Sequence, residues 1–98
     1  MAKLSYTRKA LVDIESLTAF LAESDLNASL ATARLIDEAV QILVRHPLIG
    51  RPVEHDLREL VISRGRTGYV ALYRYRENED TVLVLSCLHQ REAGYWRE

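Results

Sequence analysis

Pro47-Leu48-Ile49-Gly50-Arg51-Pro52 opens, and Leu88-His89-Gln90-Arg91 closes, a stretch in which hydrophobic residues stop recurring every three or four positions and begin to alternate. Three strand patterns lie within it, Arg58 to Ser63, Tyr69 to Arg76 and Thr81 to His89. In the first, Leu60 and Ile62 take one face and Glu59 and Val61 the other. In the second, Val70, Leu72 and Arg74 oppose Tyr69, Ala71, Tyr73 and Tyr75. Arg64-Gly65-Arg66-Thr67-Gly68 and Glu77-Asn78-Glu79-Asp80 are the polar turns between them. The Val82-Leu83-Val84-Leu85 run of the last strand is apolar at every position, the pattern of a central strand covered on both sides.

Upstream of this block the period is helical. Lys3 to Tyr6 alternates briefly and reads as a weak edge strand. Thr7 then offers a helix N-cap, followed by Leu11, Ile14, Leu17 and Leu21 at helical spacing. Ser24-Asp25-Leu26-Asn27 breaks that helix and caps a second one, carried by Leu30, Ala33, Ile36, Val40, Leu43 and Val44. Leu35, Ala39 and Ile42 widen its apolar stripe, and His46-Pro47 ends it, because proline disfavours helix in the residue before it. The break is short, so the two helices form an antiparallel hairpin. The expected fold is α+β: an N-terminal edge strand, the helical hairpin, then a C-terminal antiparallel strand meander packed on the hairpin.

Size limits what this core can cover. For 98 residues and 11.2 kDa, size scaling gives a folded surface of roughly 5,700 Å² against about 16,000 Å² unfolded, one domain (1–98) with one core. A hairpin in so short a chain covers one face of the sheet. The other face, apolar as well, is expected to meet a partner, which favours a binding protein over an enzyme. A formal net charge of -1 and a pI near 6.3 weigh against tight, sequence-independent binding of nucleic acid. No apolar run is long enough to span a bilayer, and no apolar segment follows Lys3, Arg8 and Lys9 as in a secretory signal, so a cytoplasmic protein is expected.

Individual residues point the same way. Cys87 is the single cysteine and sits in an apolar strand, as a small buried hydrophobe does. His46, His55 and His89 lack metal-ligand spacing, and no metal or other cofactor is expected. Gly65 and Gly68 lie between strands and not between a strand and a helix, so no phosphate-cradling loop is read there. Asp13, Glu15, Asp37 and Glu38 read as the solvated faces of the helices. Tyr69, Tyr73 and Tyr75 read as sheet packing, with stacking on bases the alternative. Arg58, Arg64, Arg66, Arg74, His89, Gln90 and Arg91 gather at strand ends and turns, where arginines suit a carboxylate-bearing partner or RNA.

The order of Pro47-x-x-Gly50-Arg51-Pro52, Leu57-Arg58-x-Leu60, Gly68-Tyr69-Val70-x-Leu72-Tyr73-Arg74 and Val82-x-Val84-Leu85-x-x-Leu88-His89-x-Arg91 resembles the ParE/RelE superfamily of type II toxin-antitoxin toxins. The strand with Tyr69 and Arg74 and the Leu88-His89-x-Arg91 ending look most like the ParE branch. The resemblance implies a cognate antitoxin, ParD-like or another small acidic protein, folded onto the toxin. For the ParE branch it implies a non-enzymatic poison of the cleaved-DNA state of DNA gyrase. In the RelE branch, ribosome-dependent mRNA interferases place an arginine directly after the strand tyrosine and another near the end of the last strand. Here those positions are Val70, which cannot stabilise an anion, and Gln90, which brings no positive charge. Arg58, Arg91 and Tyr95 are the residues a nuclease reading would enlist. A toxin remnant that only binds its antitoxin as a corepressor is a third reading.

These strands give a specific expectation for the partner sites. If the helices cover Val61, Tyr73, Leu83, Leu85 and Cys87, then Leu60, Ile62, Val70, Leu72, Val84 and Leu88 line a groove for the antitoxin, with Arg58 and Arg74 pairing its carboxylates. Arg91, Tyr95 and Trp96, an arginine and aromatic cluster near the terminus, are the expected contacts with the target.

Overall fold

The computed structural model describes residues 1–64 and 67–90, with side chains for all of these but 63, 64 and 67. Strand β1 (Lys3–Tyr6) leads into helices α1 (Arg8–Ala22) and α2 (Leu26–Arg45), followed by β2 (Arg51–Val53), β3 (Leu57–Arg64), β4 (Thr67–Arg76) and β5 (Thr81–His89). The strands form one sheet in the order β1-β5-β4-β3-β2. The three expected strands are present, and β2 is an additional edge strand in what reads as a turn. Pro52 suits that edge, since a strand with only one neighbour can spare an N–H. β1 lies at the other edge and pairs in parallel with β5, while β2 to β5 form the antiparallel meander.

The helix boundaries follow from their caps. Thr7 Oγ1 accepts from the Ala10 N–H at 3.1 Å to start α1, and Asp25 Oδ1 accepts from the Ala28 N–H at 3.1 Å to start α2. His46 is the C-cap of α2, one residue before Pro47. The two helices meet through small polar residues: Ser29 and Thr32 are buried, and Ser29 Oγ donates to the Thr18 carbonyl at 2.7 Å. Leu11 and Leu30, expected in the apolar stripes, are exposed. The buried lines run through Ala10 on α1, with the expected Ile14 and Leu17 packed against the core, and through the expected Ile36, Val40 and Leu43 on α2. Among the described residues no helix is long and apolar enough to cross a membrane.

Register decides which strand residues face the helices. Ile62 pairs with Tyr69 and Leu60 with Ala71 across β3 and β4, and Ala71 with Cys87 and Tyr73 with Val84 across β4 and β5. These residues form one core with Ile36, Val40 and Leu43. The other face carries Glu59 beside Leu72, Val70 between Val61 and Leu88, and Arg74 beside Leu83.

The expected groove therefore has to be corrected. Leu60, Ile62 and Val84 belong to the helix-covered core, whereas Val61 and Leu83 lie on the opposite face with Val70, Leu72 and Leu88. One physical cause is the hairpin register, which sets even-numbered β3 residues against odd-numbered β4 residues. The other is a break in β5: Leu72 pairs with Ser86 but Tyr73 with Val84, leaving Leu85 as an extra residue. Such a bulge inverts the alternation, so Val82 and Val84 before it and Cys87 after it all reach the core.

Candidate partner-binding site

The connection from α2 to β2 is held from beneath by β4. Tyr73, fully buried, donates its hydroxyl to the Pro47 carbonyl at 2.8 Å and accepts from the Gly50 N–H at 2.9 Å. Burial pushes this phenol above its ordinary pKa, against the opposing influence of the Gly50 N–H and Arg58. Arg58 Nη1 donates to the carbonyls of Leu48 at 3.0 Å and Gly50 at 2.8 Å. The Pro47, Leu48 and Gly50 carbonyls and the Gly50 N–H are thus bonded from inside, and the two apolar side chains of the turn stand outward: Leu48 is 59% and Ile49 57% exposed.

A cavity of about 490 Å³ opens beside this turn, where the start of β3 meets the end of β4. Leu48, Asp56, Arg58 and Arg74 line it, together with the Glu77–Glu79 turn. His55 and Asp56, just before β3, both adopt left-handed backbone, with φ of 63° and 61°. Two successive non-glycine residues in that region are uncommon and cost on the order of 1 kcal/mol or more each. The kink brings the His55 carbonyl to Arg74, whose Nη2 donates to it at 3.3 Å, and sets Asp56 at the cavity wall. Tyr75 donates to Asp80 Oδ1 at 2.7 Å, and that bond raises its phenol pKa.

On the face away from the helices, Val70 is fully buried, Leu72 is 9% exposed and Leu88 is half-buried, while Val61 is 48% exposed. Glu59 is buried on the same face, and Arg51 Nη2 donates to its Oε1 at 2.8 Å. Arg58 does not join this face: its cross-strand partner is Tyr73, and its guanidinium points to the Leu48–Gly50 turn. Of the residues expected to bind an antitoxin, the structure brings Val70, Leu72, Arg74 and Leu88 to one face and places Arg58, Leu60, Ile62 and Val84 on the other. Arg66, Arg91, Tyr95, Trp96 and the Arg64 side chain lie outside what the structure describes. The sequence reading missed Leu48, Ile49 and Asp56; the signal was the apolar pair inside a Pro-x-x-Gly turn.

A third assembly joins α1 to β5. Asp13 Oδ2 accepts from Lys9 Nζ at 2.9 Å, Ser86 Oγ at 2.7 Å and the Cys87 N–H at 3.0 Å. Burial alone would raise this carboxyl, but the three donors outweigh it and hold the pKa below the ordinary carboxylate value. Thr7 adds two bonds to β5, from its N–H to the Val84 carbonyl and from its hydroxyl to the Leu85 carbonyl. Beyond the end of β1, side chains of α1 thus take the place of a neighbouring strand. The Cys87 thiol is pushed up to about 12, by burial first and by Asp13 second. Among the described residues no three His, Cys, Asp or Glu side chains gather as a metal-ligand set.

The family model for the ParE toxin of the type II toxin-antitoxin system parDE matches residues 4–94. The chain belongs to the ParE toxin family. Its fold is shared with solved structures of the ParE/RelE superfamily. The chromosomal ParDE system from P. aeruginosa matches with a TM-score of 0.73 at 24% identity, over 91% of this chain and 96% of that one. The isolated E. coli RelE toxin matches with a TM-score of 0.66 at 17% identity, over 97% and 92% of the two chains. The RelBE2 toxin-antitoxin complex from Mycobacterium tuberculosis matches with a TM-score of 0.58 at 25% identity, over 91% and 98%. Comparison with curated proteins gives no match. This ParE-family chain is therefore a toxin of the ParE/RelE superfamily, and the ParDE likeness agrees with the branch suggested by Tyr69, Arg74 and Leu88-His89-x-Arg91.

Proposed function

We propose that this ParE-family toxin acts in the cytoplasm by binding DNA gyrase and holding its cleaved-DNA state, and that a cognate antitoxin neutralises it. The observation that carries the choice of target is the position of Arg58. A nuclease reading needs Arg58 to substitute for cations missing at Val70 and Gln90. Val70 is buried between Val61 and Leu88 on one face of the sheet, while Arg58 pairs with Tyr73 on the other and is engaged by two carbonyls. A general acid or an anion-stabilising group has to reach the reacting phosphate within hydrogen-bond range. Arg58 is held instead against the Leu48–Gly50 turn, where the start of β3 meets the end of β4, away from Val70. Inhibition by binding requires only that the toxin prefer the cleaved complex, whose population then rises by the difference in affinity.

The antitoxin reading rests on surface apolar groups. Phe20 is 74% exposed, Leu11, Leu26 and Leu30 are exposed along the hairpin, and Val61 is exposed beside Val70 on the far face of the sheet. Exposed apolar side chains of this kind suit an amphipathic helix or an added strand. Arg91, Tyr95 and Trp96 remain the proposed gyrase contacts.

The test is a supercoiling and cleavage assay with purified, antitoxin-free protein. Accumulation of cleaved DNA with gyrase, and no new cuts in translated message by primer extension, is the expected result. Ribosome-dependent cleavage with gyrase untouched overturns the target and makes the chain an enzyme. Inactivity in both assays, with antitoxin binding intact, leaves the corepressor reading.

A further inference from the structure

The cavity beside the Leu48–Ile49 turn is lined by charged side chains, several of which, among the described residues, form no ion pair. Among the described residues, Arg58 and Arg74 make no ion pair; they are held by neutral carbonyls, which position a guanidinium without cancelling its charge. Asp56 and Glu77, on the same cavity wall, are likewise without an ion-pair partner among the described residues. Arg76 and Glu79, by contrast, face each other at 3.9 Å. A cavity that presents cations and anions side by side, next to two exposed aliphatic side chains on a rigid turn, complements a polypeptide. It does not suit a nucleic acid backbone, whose repeated phosphates would meet Asp56 and Glu77.

We infer that this cavity and turn are a docking site for the antitoxin, taking a segment that sets an aliphatic side chain on Leu48 and Ile49 and a carboxylate between Arg58 and Arg74. A basic residue of the same segment meets Asp56 and Glu77. The site adjoins the far sheet face at Arg74. The inference rests on the reading of this chain as an antitoxin-neutralised toxin. Rigidity is part of the design: the bonds from Tyr73 and Arg58 fix the turn before the partner arrives, so less conformational freedom is lost on binding.

The experiment uses the full chain, the purified product of the adjacent reading frame as antitoxin, and overlapping synthetic peptides spanning that product, with affinity read by calorimetry. Leu48→Ser, Ile49→Ser and Arg74→Gln are chosen because their side chains are exposed or half-buried; unchanged melting temperatures check that they fold. Each is expected to weaken the antitoxin by about tenfold or more, the scale of an interface anchor. One peptide should bind the wild-type chain, lose affinity when its acidic residue becomes the amide, and lose no further affinity on Arg74→Gln, as a coupled pair requires. Wild-type affinity for all three variants overturns the inference while leaving the toxin-antitoxin reading intact. An antitoxin that fails to bind the wild-type chain overturns both. Single-stranded RNA that binds the wild-type chain and is released by Arg74→Gln, with antitoxin affinity unmoved, assigns the site to a nucleic acid and overturns the inference.

Discussion

Gly50 lies so close to Tyr73 that a Cβ at this position would stand 2.6 Å from both Cε1 and the hydroxyl oxygen of the ring. The same glycine donates its N–H to that hydroxyl. The Pro47-x-x-Gly50 spacing is therefore the imprint of one tyrosine: Pro47 supplies a carbonyl, Gly50 an N–H and an empty Cβ position.

Gly50→Ala is expected to destabilise the chain by roughly 1–3 kcal/mol through overpacking, because the ring is enclosed by the core and cannot withdraw. Tyr73→Phe should cost a similar amount, about 1–3 kcal/mol, by leaving the Pro47 carbonyl and Gly50 N–H without this partner. Urea unfolding of the two variants and the double variant measures this. The double variant should fall short of the sum, since both changes disrupt one contact.

Asp13 gives a pH-dependent contribution. Its folded pKa lies below the ordinary value of 3.8, so its stabilisation is fully present above that value and is lost as pH falls through the folded pKa. Asp13→Asn should cost about 1–3 kcal/mol at neutral pH, mostly through the weakened bonds from Ser86 and the Cys87 N–H. The Lys9 pair adds little, because the lysine is 60% exposed. Melts across pH should show the gap between wild type and variant constant near neutrality and closing below roughly pH 4. A gap that persists there would mean that packing, and not charge, is what the variant loses.

The strands other than β2, and the helix boundaries, were legible in the sequence because they rest on local signals: Thr7 and Asp25 as caps, Pro47 as a terminator, a change of period at β3. The faces were less so. Alternation tells which residues of one strand share a side, but matching sides between strands needs the register, and Leu85 carries no local mark of a bulge. Leu60, Ile62 and Val84 moved from the expected groove into the core for that reason. The arginines at the strand ends were visible as a group, yet their direction was not. Arg58 finds its acceptors ten and eight residues away, and Asp13 reaches its donor at Cys87 across 74 positions. No periodicity encodes contacts of that length.

Cys87 should be inert in the folded chain. It is 1% exposed and its thiol is pushed up to about 12, so both access and thiolate are suppressed. Labelling with a thiol-reactive disulfide reagent is expected to be slow under native conditions and to rise with denaturant along the unfolding curve. Fast labelling of the native chain would show that β5 opens locally where Asp13 bonds it.

The corrected faces separate stability from binding. Val84 is fully buried beneath the helices, so Val84→Asp buries an uncompensated charge and should cost more than about 3 kcal/mol, enough to unfold much of a small domain. Val61 pairs with Val70 on the far face and is 48% exposed; Val61→Asp should shift stability by no more than about 1 kcal/mol, because its carboxylate stays in water. If that face meets the antitoxin, Val61→Asp should nevertheless weaken the complex, since complex formation would desolvate the new charge against Leu88 and Val70. Thermal melts of the isolated variants and titration with the antitoxin read the two effects independently. Equal melting temperatures for Val84→Asp and Val61→Asp would contradict the register, whereas a stable Val61→Asp with undiminished antitoxin affinity would remove the far face from the interface and leave the hairpin and the Leu48–Ile49 turn to hold the partner.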